Sequence, residues 1–334
     1  MKRPAATPRK VTTRHRVELL LLRAPLALLS RLPPRLGDAL AGLLGGFVYR
    51  VAGWRRGVVE SQLAAAYPDA SREWVRRVAR ACYAHFVREM VAVVAFSRRG
   101  PEALLRCVEY RGLEELRAAA EAGGALIVSG HYGNWELAAS SVAARGIPMY
   151  GVYQPQSNAP VDAWVARLRE SLGIRLVRRG ESAAAARRIL RSGGVLGLAA
   201  DQDARARGVF VPFFGRPAST HRGPAALALA LGAPLFIGIM RRVGPGRRYR
   251  LEIELVRPAS EPAAGERDEG GEGRDSVREW TARWVAALER AVRVSPEQYL
   301  WHHRRWKSRP PGTRGLAAGT TSGPTTPDRE TRSA

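Results

Sequence analysis

Apolar and polar positions along the chain follow two periods. From Val108 to Val256, short apolar runs are separated by segments whose apolar residues recur every three to four positions. The runs predict strands at Val108–Arg111, Ala125–Val128, Met149–Tyr153, Ile174–Val177, Val195–Ala200, Leu235–Met240 and Tyr249–Val256, the last alternating in character as an edge strand does. The intervening segments predict helices at Leu113–Ala122, Glu136–Ala143, Val161–Leu172 and Ser182–Arg191, with another starting near Pro224, a residue suited to a first helical turn. Strand and helix in alternation predict an α/β fold, a single largely parallel sheet flanked by helices, with ligands at the carboxyl ends of the strands.

Upstream the pattern changes. Met1 to Arg16 is basic and lacks apolar periodicity, which predicts a mobile arm. Val17–Leu32 and Leu36–Trp54 are apolar but interrupted by Glu18, Arg23, Arg31, Asp38 and Arg50, with Pro33-Pro34 between them. Neither offers the roughly 18 uninterrupted apolar residues that a membrane span wants. Two marginal helices flanked by arginines fit a membrane-associated segment whose long side chains reach the headgroups. A signal peptide cleaved near Ala39-Leu40-Ala41 and a pair of ordinary core helices are the alternatives. Ala70–Phe96 reads as a helix capped by Ser71, with Trp74, Val78, Cys82, Phe86 and Met90 as its core stripe.

Downstream, Ser276 and Glu279 form a capping-box pair ahead of the stripe Val277, Trp280, Trp284 and Leu288. Residues 263–273, rich in Gly and Glu, predict an exposed loop, and from Ser308 onward Pro, Gly, Thr and Ser predict a disordered tail. The expected organisation is a basic arm (1–16), a helical segment (17–56), the main domain (57–310) and a tail (311–334).

Composition narrows the class. With 46% hydrophobic and 25% charged residues among 334, the chain can bury a sizeable core. A net charge of +24 favours phosphates, anionic lipid surfaces or an acidic partner. Aromatic residues make up 7% and do not interleave with a basic stripe, which argues against nucleic acid. Cys82 and Cys107 stand alone in mostly apolar segments, without the spacing of a zinc site or disulfide framework, and fit a reducing compartment.

The candidate chemistry centres on Gly124 to Glu136, where a buried strand gives way to a turn bracketed by Gly130 and Gly133 and then to a helix. His131 lies in that turn and Glu136 in the first turns of the helix, so both side chains can face one site. A neutral imidazole can take a proton from a hydroxyl near neutral pH, and a carboxylate on its other nitrogen would fix the tautomer and stabilise the cation. Tyr153 and Asp201 also fall at carboxyl ends of strands. Nothing matches the His-Glu-x-x-His zinc spacing, so no metal and no cofactor are expected.

In order and spacing these blocks resemble the lysophospholipid acyltransferase superfamily, and within it the bacterial lipid A biosynthesis acyltransferases. The resemblance runs roughly from Leu19 to Pro310. The family's His-x4-Asp/Glu motif falls on His131 and Glu136. Tyr153-Gln154-Pro with Asn158 resembles its second block, Asp201-Gln202 through Phe-Val-Pro-Phe-Phe-Gly215 its third, and Gly232-Ala-Pro234 its last. Gln154 stands where the family often has Arg, which bears on the acceptor and not on the chemistry.

The resemblance implies a glycerolipid acyltransferase-like fold and transfer of a fatty acyl group from a thioester to a hydroxyl. His131 would be the base and Glu136 its orienting acid. Tyr153, Gln154, Asn158, Asp201 and Gln202 would bind the acceptor, with Arg179 or backbone N–H groups of the turn serving the oxyanion. Phe210, Phe213 and Phe214 would line an acyl channel. It further implies acyl carrier protein as donor, with Arg187, Arg188 and Arg191 as docking residues. The acceptor would be a lipid A precursor in an anionic membrane, at the cytoplasmic face of a bacterial inner membrane, with another glycolipid as the alternative. A branch of the family that acylates phosphatidylinositol mannosides shares most of these motifs. A hydrolase using the same His and Glu, and a non-catalytic basic membrane-binding protein, are the readings from other classes.

Overall fold

The apolar runs assemble into one seven-stranded sheet in a computed structural model that describes residues 11–259 and 271–311. The strands are β1 (Val108–Arg111), β2 (Ala125–Ser129), β3 (Met149–Tyr153), β4 (Arg175–Arg178), β5 (Val195–Ala199), β8 (Leu235–Gly244) and β9 (Arg248–Arg257), with a separate hairpin of β6 (Val209–Phe213) and β7 (Arg216–Thr220). The order across the sheet is β1-β9-β8-β2-β5-β3-β4. From β8 to β4 every pair is parallel, while β9 runs antiparallel to β8 and parallel to β1. The alternating β9 is therefore an interior strand, and the edge position belongs to β1. The β6–β7 hairpin was not foreseen as strand.

The helices are α1 (Thr13–Arg31), α2 (Pro34–Phe47), α3 (Arg56–Ala66), α4 (Arg72–Arg99), α5 (Pro101–Leu105), α6 (Leu113–Gly123), α7 (Trp135–Ala144), α8 (Ala159–Ser171), α9 (Ser182–Arg191), α10 (Gly223–Leu231) and α11 (Gly271–Val294). Ser71 caps α4 by accepting from the backbone N–H of Trp74, as its position suggested. Four helices depart from expectation: α3 and α5 were not foreseen. α1 begins inside the supposed arm, and α11 begins before Ser276, so the expected capping box lies within the helix. Of the loop expected over 263–273, residues 263–270 lie outside the described residues and 271–273 belong to α11; all but one residue of the tail after 310 lie outside the described residues.

Alternation along the strands sends side chains to two faces. Leu126, Val128, Leu196 and Ile237 point to the face where Trp284 and Val285 of α11 pack with Phe213, Phe214 and Trp301. Ala125, Ile127, Met149, Val195 and Phe236 point to the other face, against Leu137, Ala138 and Val142 of α7 and Val93 and Phe96 of α4. Filling these two layers removes the apolar runs from water and is the principal reason the sheet holds.

α1 and α2 rest on α4 through Leu26, Leu29 and Ala41. Their outer side is apolar and exposed: Leu20, Leu21 and Leu28 on α1, Leu40, Leu43 and Phe47 on α2. Val51 and Trp54 extend it through a π-helical turn, Val48–Ala52. Among the described residues no helix is long and apolar enough to cross a membrane.

Candidate active site

The turn after β2 is held from three directions. Gly133 has φ +56°, and a β-carbon there would stand 1.7 Å from the Met240 carbonyl, so the close approach to β8 requires glycine. The C-terminal segment pairs with the turn: Gly133 N–H donates to Gln298 O and Leu300 N–H to His131 O, both at 2.9 Å. From α4, His85 Nε2 meets Gly133 O at 3.3 Å. Asn134 then caps α7 by accepting from Leu137 N–H. Its amide donates at 2.7 Å to Glu89, a buried carboxylate that also takes Arg242 Nε–H at 2.6 Å and the Tyr249 hydroxyl at 2.9 Å. Asp38 of α2 completes this network with Arg242 at 2.8 Å and Arg247 at 3.1 Å.

Held this way, His131 presents its ring to Asp201, just past the end of β5. His131 Nδ1–H donates to Asp201 Oδ1 at 2.6 Å, and the His131 backbone N–H donates to Oδ2 at 2.9 Å. The tautomer follows from this network, since an ionised carboxylate only accepts. Burial opposes charge on both partners. It is outweighed at His131 by the charge and hydrogen bond of Asp201, which raise the imidazole above its usual 6.5. It is outweighed at Asp201 by the charge and hydrogen bonds of His131, which bring the carboxyl down to about 2. His131 Nε2 is thereby left as a bare acceptor, with the Gln202 amide nitrogen 3.3 Å away. Trp135 meets the ring edge-on, its centroid 5.0 Å off.

Asp201 thus occupies the place expected of Glu136. The Glu136 carboxylate turns to α8 and makes a bidentate pair with Arg169, Nε to Oε2 at 2.7 Å. Asp201, expected to bind an acceptor, is buried behind the histidine with both oxygens engaged there. Asn158 is also reassigned. It caps α8 by accepting from Val161 N–H, and its amide donates to Glu18 Oε2 and His15 O of α1. The turn N–H groups of His131 and Gly133 are occupied by Asp201 and Gln298, which removes them as oxyanion donors.

A cavity of about 1180 Å³ opens at this edge of the sheet. His131, Glu136, Tyr153, Gln154, Arg179 and Gln202 line it, together with Arg169, Arg207, His221 and His303. Its inner part is apolar and runs under α7. Ala138, Ala139 and Val142 form one wall, and Ile127, Met149, Gly151, Gly197 and Gly238 form the other. Gly151 and Ile127 both pair with Gly197 in register, so missing side chains on neighbouring strands align into a groove. A β-carbon at Gly197 would come within 2.4 Å of Met149 Cε, and one at Gly238 within 2.8 Å of Ile127 Cδ1.

The phenylalanines expected to line an acyl channel do not reach this cavity. Phe213 and Phe214 are buried on the opposite face against Tyr299, Trp306, Tyr67 and Trp301. Phe210 sits half-buried on the hairpin and outside the lining. Arg169 and His303 were missed: Arg169 belongs to no motif, and His303 was noted only within the terminal Trp-His-His-Arg-Arg-Trp run.

An α/β sheet whose carboxyl edge carries a histidine–aspartate pair, at the mouth of an apolar groove, has the parts of a proton-abstracting enzyme for a long-chain substrate. The chain belongs to the bacterial lipid A biosynthesis acyltransferase family, whose profile matches residues 7–308. It is 33% identical over 216 residues to a lipid A biosynthesis lauroyltransferase of Escherichia coli, a match covering 63% of this chain and 65% of that protein. A lipid A biosynthesis acyltransferase of Haemophilus influenzae is 27% identical over 282 residues, 83% of each chain. A phosphatidylinositol mannoside acyltransferase of Mycobacterium tuberculosis is 34% identical over 130 residues, 37% of this chain and 41% of its own.

Proposed function

We propose that the chain transfers a fatty acyl group from acyl carrier protein to a hydroxyl of a lipid A precursor. The observation that carries this reading is the bare Nε2 of His131, held by Asp201 at the mouth of a groove lined by small and apolar residues. Nε2 takes the proton of the acceptor hydroxyl as its oxygen attacks the thioester carbonyl, and Asp201 stabilises the imidazolium. Collapse of the tetrahedral intermediate breaks the carbon–sulfur bond, and the leaving thiolate takes the proton back from His131. Arg179 faces the cavity with no carboxylate partner among the described residues and serves the oxyanion, while Glu136 holds Arg169 on the acceptor side. The acyl chain lies under α7, against Gly197 and Gly238. Tyr153, Gln154 and Gln202 contact the acceptor.

The apolar outer side of α1 and α2 supports attachment to one leaflet of an anionic membrane at the cytoplasmic face of the inner membrane. Leu21 is 70% exposed and Leu43 67%, with Arg23, Arg31, Arg35 and Arg50 exposed among them. The exposed Arg187, Arg188 and Arg191 of α9 offer a docking side for the acidic carrier. A phosphatidylinositol mannoside is the second acceptor reading, favoured by the mycobacterial relative. Both are tested by incubating the purified full chain with acyl carrier protein thioester and each glycolipid, followed by mass spectrometry. One added acyl group on the lipid A precursor is the expected result. Acylation of the mannoside alone selects the second reading, and no acylated lipid of either kind overturns both.

A further inference from the structure

The Gln202 amide nitrogen stands between two imidazoles, 3.3 Å from Nε2 of His131 and 2.8 Å from Nε2 of His303. An amide nitrogen has two hydrogens and no acceptor capacity, so both ring nitrogens must be bare. For His131 this follows already from the bond to Asp201. For His303 the neutral form prevails because burial, then the charge of His131, lower its proton affinity below the ordinary value. The shorter bond goes to the ring that performs no chemistry.

We propose that His303 is a positioning residue: by accepting one N–H of Gln202 it keeps the other N–H over the lone pair of His131, shielding the base from water until an acceptor hydroxyl displaces the amide. The idea rests on the acyl-transfer reading and adds a specificity to it. An unshielded base at a thioester would activate water, which would cleave the carbon–sulfur bond to give free acid and thiol without transfer. Turning the amide round would place its oxygen at His131 and favour the protonated ring, so loss of His303 both exposes the base and raises its proton affinity. The charged groups facing His131 are Asp201, Glu136 on α7 and Arg169 on α8; His303 is faced by His131, Asp201 and Arg55. His303 is neutral where His131 titrates, so its removal subtracts a hydrogen bond and not a charge.

The test compares His303→Phe, which keeps a ring but no acceptor, with His303→Gln, whose carbonyl can still accept from Gln202. His303→Ala replaces the first if Phe does not fold, as judged by thermal melts of the full chain. Two readouts are taken. Acceptor-free hydrolysis of an acyl carrier protein thioester, relative to transfer, is expected to rise about three- to tenfold in His303→Phe, the scale of one hydrogen bond, and to return towards wild type in His303→Gln. NMR titration of the labelled His131 ring is expected to show a similar rise in proton affinity in His303→Phe alone. A folded His303→Phe protein in which both quantities are unchanged overturns the proposal. If the wild-type chain neither transfers nor hydrolyses, acyl transfer fails as a reading, while the titration still decides whether His303 orients Gln202.

Discussion

The two faces of the sheet solve opposite problems with the same strands. One is packed with aromatic bulk, where Phe213, Trp284 and Trp301 are fully buried. The other is hollow where it passes under α7, with Gly151, Gly197 and Gly238 in the cavity lining. Both faces bury apolar side chains, and the cavity lies on the second. The His131–Asp201 pair stands at the rim between them, at the ends of β2 and β5. Voids are unfavourable in protein interiors, so a groove kept open by three glycines points to an occupant.

This contrast can be broken at four points, from the largest effect down. His131→Ala removes the base at the rim and should lower transfer by about 10²–10⁴ while melts remain normal; near-normal transfer by the folded variant would place the chemistry elsewhere. Phe213→Ala empties the filled face. It should cost about 3–5 kcal/mol in denaturant unfolding and leave the preferred acyl chain length untouched. A shift in chain length from this change would contradict the division of labour.

Asp201→Asn should lower turnover by about 10–10², the scale of a hydrogen bond to a charged group. Its pH profile carries the sharper information. With Asp201 in place the raised proton affinity of His131 sets the acid limb of activity above 6.5, since the base works only when neutral. Without it burial is countered only by the weaker effect of the Glu136 charge, and the limb should move to lower pH; an unmoved limb would detach Asp201 from the base. Gly197→Val fills the hollow face against Met149, whose flexible end can yield, so folding should change little. Rates with a series of acyl donors should then fall by roughly fourfold for each methylene that no longer fits. A uniform loss across the series would mean the chain lies elsewhere.

The seven strands of the main sheet and most helices were legible because buried runs and helical stripes are local signals, whereas the β6–β7 hairpin was missed. His131 was legible because strand, glycine turn and helix are contiguous in sequence. Its partner was not. Glu136 is five residues away and Asp201 seventy, yet β2 and β5 are neighbours in the sheet, and α7 begins at Trp135 in an orientation that sends Glu136 to Arg169. Sequence spacing cannot show which of two carboxylates a sheet will bring to a ring. Asn158 looked like a ligand because a capping asparagine and a binding asparagine are the same residue type in the same kind of loop. The groove left a trace that was passed over: Met149–Tyr153, Val195–Ala199 and the start of β8 each carry one glycine mid-strand, a usual mark of close approach. The three phenylalanines drew attention because bulk is conspicuous, whereas a channel is made by what is missing.

The buried charges behind the catalytic turn decide whether the protein is modular. Asp38 belongs to α2, yet its carboxylate partners Arg242 at the end of the central sheet and Arg247 in the hairpin beyond it. Cutting the chain after Trp54 to free the sheet from its apolar helices would leave Arg242 with Glu89 alone and Arg247 with no carboxylate among the described residues, and an unpaired charge in a low-dielectric interior is strongly destabilising. Arg242 also grips Glu89, which holds Asn134 at the start of α7. The helices with the exposed apolar surface and the turn with the histidine are therefore joined by one buried charge network.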